Sequence, residues 1–108
     1  MSGLWLTITR GKISPDQAEQ SETFLSGFLP RLEAFPGVSA VYHYSQHETG
    51  ESTTLVVWDS QEAAQSYRES ALVQEAVAFE QANQMRTTRE AYPLDFPAPS
   101  RFVRGGAV

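Results

Sequence analysis

At 108 residues the chain has room for one hydrophobic core, which excludes an enzyme with a separate cofactor domain. Its composition, 41% hydrophobic, 11% aromatic and 19% charged, is that of a chain that folds rather than a disordered one. Eight basic against thirteen acidic side chains leave a net charge of −5, so neither nucleic acid nor an anionic membrane is an expected partner, and the lack of cysteine excludes disulfides, zinc–thiolate centres, iron–sulfur clusters and a thiol nucleophile.

Leu4, Leu6 and Ile8 alternate with Trp5, Thr7 and Thr9, a period of two that predicts a first strand ending near Arg10-Gly11. No basic and then apolar leader opens the chain and no run reaches membrane-spanning length, so the expected location is the cytoplasm. Ser14 followed by Pro15 then reads as an N-cap with proline at the first helical position, with Asp16 and Glu19 on the positive end of the helix dipole. The helix that follows carries the stripe Ala18, Phe24, Leu25, Phe28, Leu29, Leu32 and Phe35. Pro30 is expected to kink or split it, and Pro36-Gly37 to end it.

Val38 to Gln46 (VSAVYHYSQ) and Thr53 to Trp58 (TTLVVW) are β-branched and aromatic, and the polar stretch His47 to Ser52 between them makes a hairpin. Asp59 is expected to cap a second helix, with Glu62 reaching back in a capping box and Ala63, Ala64 and Tyr67 buried. A further helical segment follows Ser70 through Leu72, Val73, Ala76, Val77 and Phe79 to near Asn83, and Met85 to Tyr92 reads as a last, largely polar strand. Strand, helix, strand, strand, helix, strand is an α+β, ferredoxin-like βαββαβ order: a four-stranded antiparallel sheet with helices on one face. Residues 1–92 form that domain, and the Pro/Gly-rich residues 93–108 are expected as a flexible tail whose Leu94, Phe96, Phe102 and Val103 could pack on a partner subunit.

Both faces of the hairpin are apolar. A turn centred on Thr49-Gly50 sets Trp58 opposite Val41, Val56 opposite His43 and Thr54 opposite Ser45, and leaves Ala40, Tyr42, Tyr44, Leu55 and Val57 on the other side. Helices cover one face of such a sheet, and leaving the other in water forgoes several kcal/mol. A homodimer through the uncovered face is therefore expected.

The runs FPGVSAVYHYS (Phe35 to Ser45) and VVWDSQEAAQSY (Val56 to Tyr67), with Ser70-Ala71-Leu72-Val73 after them, resemble the antibiotic-biosynthesis monooxygenase family of dimeric α/β barrels. The resemblance covers about residues 4 to 92. It implies a fold closed by dimerisation and, among the family's activities, cofactor-independent oxidation of polycyclic phenols to quinones, quinol oxidation or haem degradation. Trp58 stands where the quinone-forming members place the tryptophan of their cavity, Thr54 where they have an asparagine and Ala64 where they have a tyrosine. The places that serve haem degradation hold Leu4, Tyr67 and Val77, none of them an iron ligand of the histidine type.

Among residues with chemistry to offer, His43 and His47 lie four apart on one strand, about 13 Å between Cα atoms, too far to share a metal. His43, beside the cavity face, is the candidate for proton transfer, with a strand hydroxyl such as Ser45 as the alternative satisfied partner, and His47 is expected to be only solvated. Trp58 and Tyr67 offer a flat wall and polar tips for an aromatic substrate, and Thr54, Arg86 and Arg89 could meet its oxygens. Glycine-rich phosphate loops, a nucleophile triad and a metal-ligand cluster are absent from the sequence pattern, so no cofactor and no metal are expected. Two readings follow: a cofactor-independent monooxygenase acting on a small phenol- or quinol-type aromatic, and a non-catalytic dimeric module that binds a small hydrophobic molecule or is structural or stress-related.

Overall fold

The computed structural model describes residues 3–94, so the tail from 95 onward lies outside the described residues. Its elements are β1 (Trp5–Lys12), a 3₁₀ turn (Pro15–Gln17), α1 (Ala18–Glu33), β2 (Val38–Gln46), β3 (Glu51–Trp58), α2 (Gln61–Arg68), α3 (Ala71–Ala82) and β4 (Arg86–Pro93). The strands form one sheet in the order β2-β3-β1-β4, every neighbouring pair antiparallel. This is the ferredoxin-like arrangement expected. No helix among the described residues is long and apolar enough to cross a membrane.

Local chemistry explains where the elements start and stop, and where they depart from expectation. Ser14 caps through its backbone, its carbonyl accepting the Gln17 N–H at 2.8 Å while its hydroxyl turns to the Asp16 carboxylate, so the first turn is 3₁₀ and the α-helix begins only at Ala18. α1 runs through Pro30 without splitting. The donor that Pro30 lacks would have met the Ser26 carbonyl, and both residues sit on the exposed side, where water replaces the lost bond. Ser60, in extended conformation, caps α2 by accepting the Ala63 N–H at 3.1 Å, one residue later than the expected Asp59 capping box. Ser70 caps α3 in the same way, accepting from Val73 N–H at 3.2 Å.

The hairpin register also differs by a two-residue step. Tyr42 pairs with Leu55, His43 with Thr54 and Ser45 with Ser52, because the turn occupies residues 47–50 and closes on Gly50 rather than being centred on it. Gly50 has φ +77°, donates to the Gln46 carbonyl at 2.9 Å and accepts from Ile13 N–H at 2.9 Å; a Cβ there would collide with the Ile13 carbonyl. Because the side-chain period is two, a shift of two leaves every face assignment unchanged. An irregularity between Val38 and Ala40 then lets Val38 pair with Trp58.

The core collects at the Trp58 end of the sheet. Phe28, Leu32, Val56, Trp58, Ala64 and Ala76 are buried together, with Trp5, Phe35, Val38, Val41 and Tyr67 packed around them.

Candidate functional site

The registers sort the helix-facing side of the sheet into rows. Near the core they read Trp58, Trp5 and Pro93, then Val41, Val56, Thr7 and Ala91. Toward the hairpin turn they become His43, Thr54, Thr9 and Arg89, and finally Ser45, Ser52, Gly11 and Thr87. A sheet face covered by helices is ordinarily apolar throughout. Here half of it carries hydroxyls, an imidazole and a guanidinium.

Over those polar rows the helices leave a cavity of about 70 Å³. Its roof is aromatic: Phe24 of α1 stacks on Phe79 of α3 with ring centroids 4.4 Å apart, and on Phe28 at 5.2 Å. Its floor holds Thr7, Thr9, Thr54, Ser52 and Thr87, and Tyr67 and the Arg89–Glu80 pair close one side. The turn after α3 sets that pair. Gln84 takes φ +53°, Met85 N–H donates to the Glu80 carbonyl at 2.8 Å and Gln84 N–H to the Gln81 carbonyl at 3.2 Å, which swings β4 back beneath α3. The Arg89 guanidinium then grips both Glu80 oxygens at 3.1 and 2.6 Å, with the Glu80 side chain only 14% exposed. Met85 lies across Gly11, where a Cβ would come within 2.1 Å of its methyl carbon.

The sequence-predicted residues fall into different places. Thr54 and Tyr67 line the cavity. Burial pushes the Tyr67 hydroxyl up to about 12, with Arg89 pulling it down and Glu80 pushing it up, so it stays a donor at neutral pH. Trp58 has no exposed surface and lies behind the cavity: its ring packs on Tyr67 at 5.3 Å, and its indole N–H donates to the Thr7 hydroxyl at 2.9 Å. His43 does not reach the cavity itself. Its Nδ1 lies 2.9 Å from the Thr54 hydroxyl, rather than on Ser45, and its ring faces a neighbouring cavity of about 180 Å³ under α1. Burial lowers the His43 pKa below its ordinary value. His47 is not merely solvated, for its Nε2 meets the Glu22 carboxylate of α1 at 2.5 Å.

Arg86 requires a correction. It pairs with Lys12 and faces the opposite side of the sheet, whereas Arg89, three residues on and of opposite parity, is the β4 arginine at the cavity. The residues that sequence reasoning did not join are Thr87, Glu80 and the Phe24–Phe79 roof. A period-two reading of β4 anchored on Ala91 would have put Thr87 and Arg89 together. Among the described residues no three His, Asp or Glu side chains gather as a metal-binding group.

On the other side of the sheet the pattern inverts. Leu6, Ile8, Ala40, Leu55 and Val57 share it with Tyr42, Tyr44 and Tyr92, which are 62, 60 and 47% exposed.

A four-stranded antiparallel sheet in the order β2-β3-β1-β4 with its helices on one face is the fold of solved structures named as antibiotic biosynthesis monooxygenases. Among solved structures, a Deinococcus radiodurans protein provisionally named as such a monooxygenase superposes with a TM-score of 0.78 at 13% identity, covering 84% of this chain and 92% of its own. A Nitrosomonas europaea protein of the same provisional name gives 0.77 at 12% identity over 90% and 95%. SnoaB of Streptomyces nogalater, described as a cofactor-independent oxygenase, gives 0.64 at 14% identity over 90% and 98%. At such identities the likeness is one of fold. No family model matches the sequence, and no curated protein matches it.

Proposed function

We propose that this chain is a cofactor-independent monooxygenase-like protein acting on a small phenol- or quinol-type aromatic held between the Phe24–Phe79 roof and the polar floor. The observation that carries the reading is the polar half of the inner sheet face, seven positions where a core would otherwise be. That SnoaB shares the fold supports the reaction class.

In such a reaction the substrate supplies the electrons. An anthrone-type CH₂ becomes a carbonyl, with one atom of O₂ entering the product and the other leaving as water, so the protein's tasks are to bind the ring, remove its acidic proton and hold off bulk water. Thr54 is suited to the second task. It lines the cavity and, with His43 neutral and protonated on Nε2, its hydroxyl passes its own proton to Nδ1 at 2.9 Å as it accepts one from substrate. The lowered His43 pKa keeps that acceptor available at pH 7. Tyr67 donates to a ring oxygen, and Trp58 holds Tyr67 in place from behind.

Oxygen uptake with a panel of quinols and anthrones tests the reading. Uptake above the buffer rate, falling about a hundredfold in His43→Gln, is expected from the loss of a positioned base. Uptake at the buffer rate across the panel overturns it. One observation favours the alternative of a non-catalytic binder: Glu80, the only carboxylate among the lining residues described, is tied to Arg89. Saturable binding without oxygen uptake identifies that case. The proposal includes a homodimer through the face carrying Tyr42, Tyr44 and Tyr92, supported by their exposure and tested by the mass in solution.

A further inference from the structure

We propose that the hairpin-turn end of the outer sheet face is a second site, on the opposite side of the sheet from the helices, and that it binds a small organic phosphate monoester through Arg10, Lys12 and Arg86. The starting observation is a conflict of charge. Lys12 of β1 and Arg86 of β4 are register partners, so two positive side chains stand directly opposite each other on one face, an arrangement that is destabilising unless something negative lies between them. Arg10 stands diagonal to Arg86 on the same face. Three of the chain's eight basic side chains thus meet in one place on a molecule of net charge −5.

The protein itself does little to offset them. Among the described residues Lys12 and Arg86 make no ion pair, and Arg10 comes no nearer than 4.0 Å to the Glu90 carboxylate. Glu51, the register partner of Lys12 on β3, accepts from the Thr49 hydroxyl at 3.1 Å instead. Arg31 and Arg89 behave differently, each gripping both oxygens of a carboxylate.

The three cations border a groove of about 660 Å³, with Tyr44 and Thr53 among the residues that line it. Thr53, in register with Tyr44 on one side and Arg10 on the other, forms its buried floor. Only 8% of Thr53 is exposed, yet its hydroxyl has no hydrogen-bond partner among the described residues and, unlike that of Thr87, is not sealed from solvent. A hydroxyl donor beneath two guanidinium forks and an ammonium suits the several oxygens and double charge of a phosphoryl group. The groove is larger than a bare phosphate fills, and the Tyr44 ring, 60% exposed beside Thr53, gives the organic part of an ester an apolar wall. The apolar rows with Leu6, Ile8, Tyr42 and Tyr92 lie toward the Trp58 end of the face, away from this site.

The experiment is calorimetric titration with phenyl phosphate and with inorganic phosphate, the ionic strength held constant with chloride. The proteins are wild type, Lys12→Gln, Arg86→Gln, Thr53→Val, Tyr44→Ala and, as a control that removes a cation from α2, Arg68→Gln. Wild type and Arg68→Gln are expected to bind both ligands saturably, the ester more tightly. Lys12→Gln and Arg86→Gln should each weaken both ligands roughly tenfold, the loss of one charge-assisted contact. Thr53→Val, of the same shape, should weaken both as well, and Tyr44→Ala should bring the ester level with the ion. Arg86→Gln relieves the like-charge contact, so in chloride it should melt no lower than wild type. Phosphate should lift the Tm of wild type more than that of Arg86→Gln, a difference that its general exclusion from protein surfaces does not produce. No saturable binding to wild type, or binding that Arg86→Gln weakens no more than Arg68→Gln does, overturns the site. Equal binding of ester and ion by wild type overturns the ester as its ligand. None of these readings involves oxygen uptake, so the fate of this proposal and that of the monooxygenase reading are decided separately.

Discussion

Two threonines on the same face of the sheet should respond oppositely to the same substitution. Thr7 accepts the indole N–H of Trp58 at 2.9 Å, and Trp58 is fully buried. Thr7→Val leaves that N–H with no acceptor and no route to water, which costs about 1–3 kcal/mol. Among the described residues the Thr87 hydroxyl has no hydrogen-bond partner, so Thr87→Val removes a desolvated hydroxyl that brings no bond and should raise stability by about 1 kcal/mol. For a domain of this size each kcal/mol moves Tm by roughly 4–8 °C, so the two variants should lie on opposite sides of wild type by a margin well above experimental scatter. Thermal melts by circular dichroism and urea midpoints at fixed protein concentration measure it. A Thr87→Val that melts with or below wild type shows that the hydroxyl is already satisfied when the protein is unliganded, and refutes the reasoning.

Three further outcomes follow from the same geometry. His43 has a folded pKa below its unfolded value because of burial, so the unfolded chain holds more protons as pH falls through about 6.5; stability is expected to be flat above neutrality and to drop on acidification, and His43→Gln should flatten that slope in urea titrations at pH 5 to 8. Tyr42→Glu puts a charge into the exposed tyrosine face, and light scattering should move from twice 12.0 kDa to the single-chain mass. Glu80→Gln leaves Arg89 as an unmatched cation in the cavity, so an aromatic carboxylate such as 2-naphthoate should bind the variant more tightly than wild type in calorimetric titrations.

The architecture was legible because each element announces itself locally. Leu6 and Ile8 alternate with Thr7 and Thr9, Phe24, Phe28 and Leu32 recur at helical spacing, and Ser70 stands ahead of an apolar helix. The hairpin register slipped because composition marks a glycine in the turn without saying whether it sits at the centre or, as Gly50 does, at the end. The site was only half legible for a related reason. His43, Thr54, Trp58 and Tyr67 lie on strongly patterned elements whose faces can be assigned, but MRTTREAY is polar on both faces, so nothing local says that Arg89 points inward and Arg86 outward. That choice is made by pairing with β1, a contact some eighty residues away in sequence, and the Glu80–Arg89 grip depends on a left-handed Gln84 that no propensity signals.

The two unusual faces of this sheet have one energetic consequence. Filling the inner rows with His43, Ser45, Ser52, Thr54, Thr9, Thr87 and Arg89 forgoes burial that would be worth roughly 1.5–3 kcal/mol at each position with a large apolar side chain, a total comparable with the whole stability of a small domain. Something else must supply it. The outer face holds the means: the exposed parts of Tyr42, Tyr44 and Tyr92 are each worth roughly 2–3 kcal/mol gross when covered, in both copies of a dimer. Stability drawn from association depends on concentration by mass action. Tm should therefore climb by several degrees between about 1 and 100 μM protein, and Tyr42→Glu should abolish the climb while lowering Tm. A Tm independent of concentration, in a protein of single-chain mass, would mean that the polar inner face is compensated within one chain, and that the tyrosine face has some purpose other than pairing.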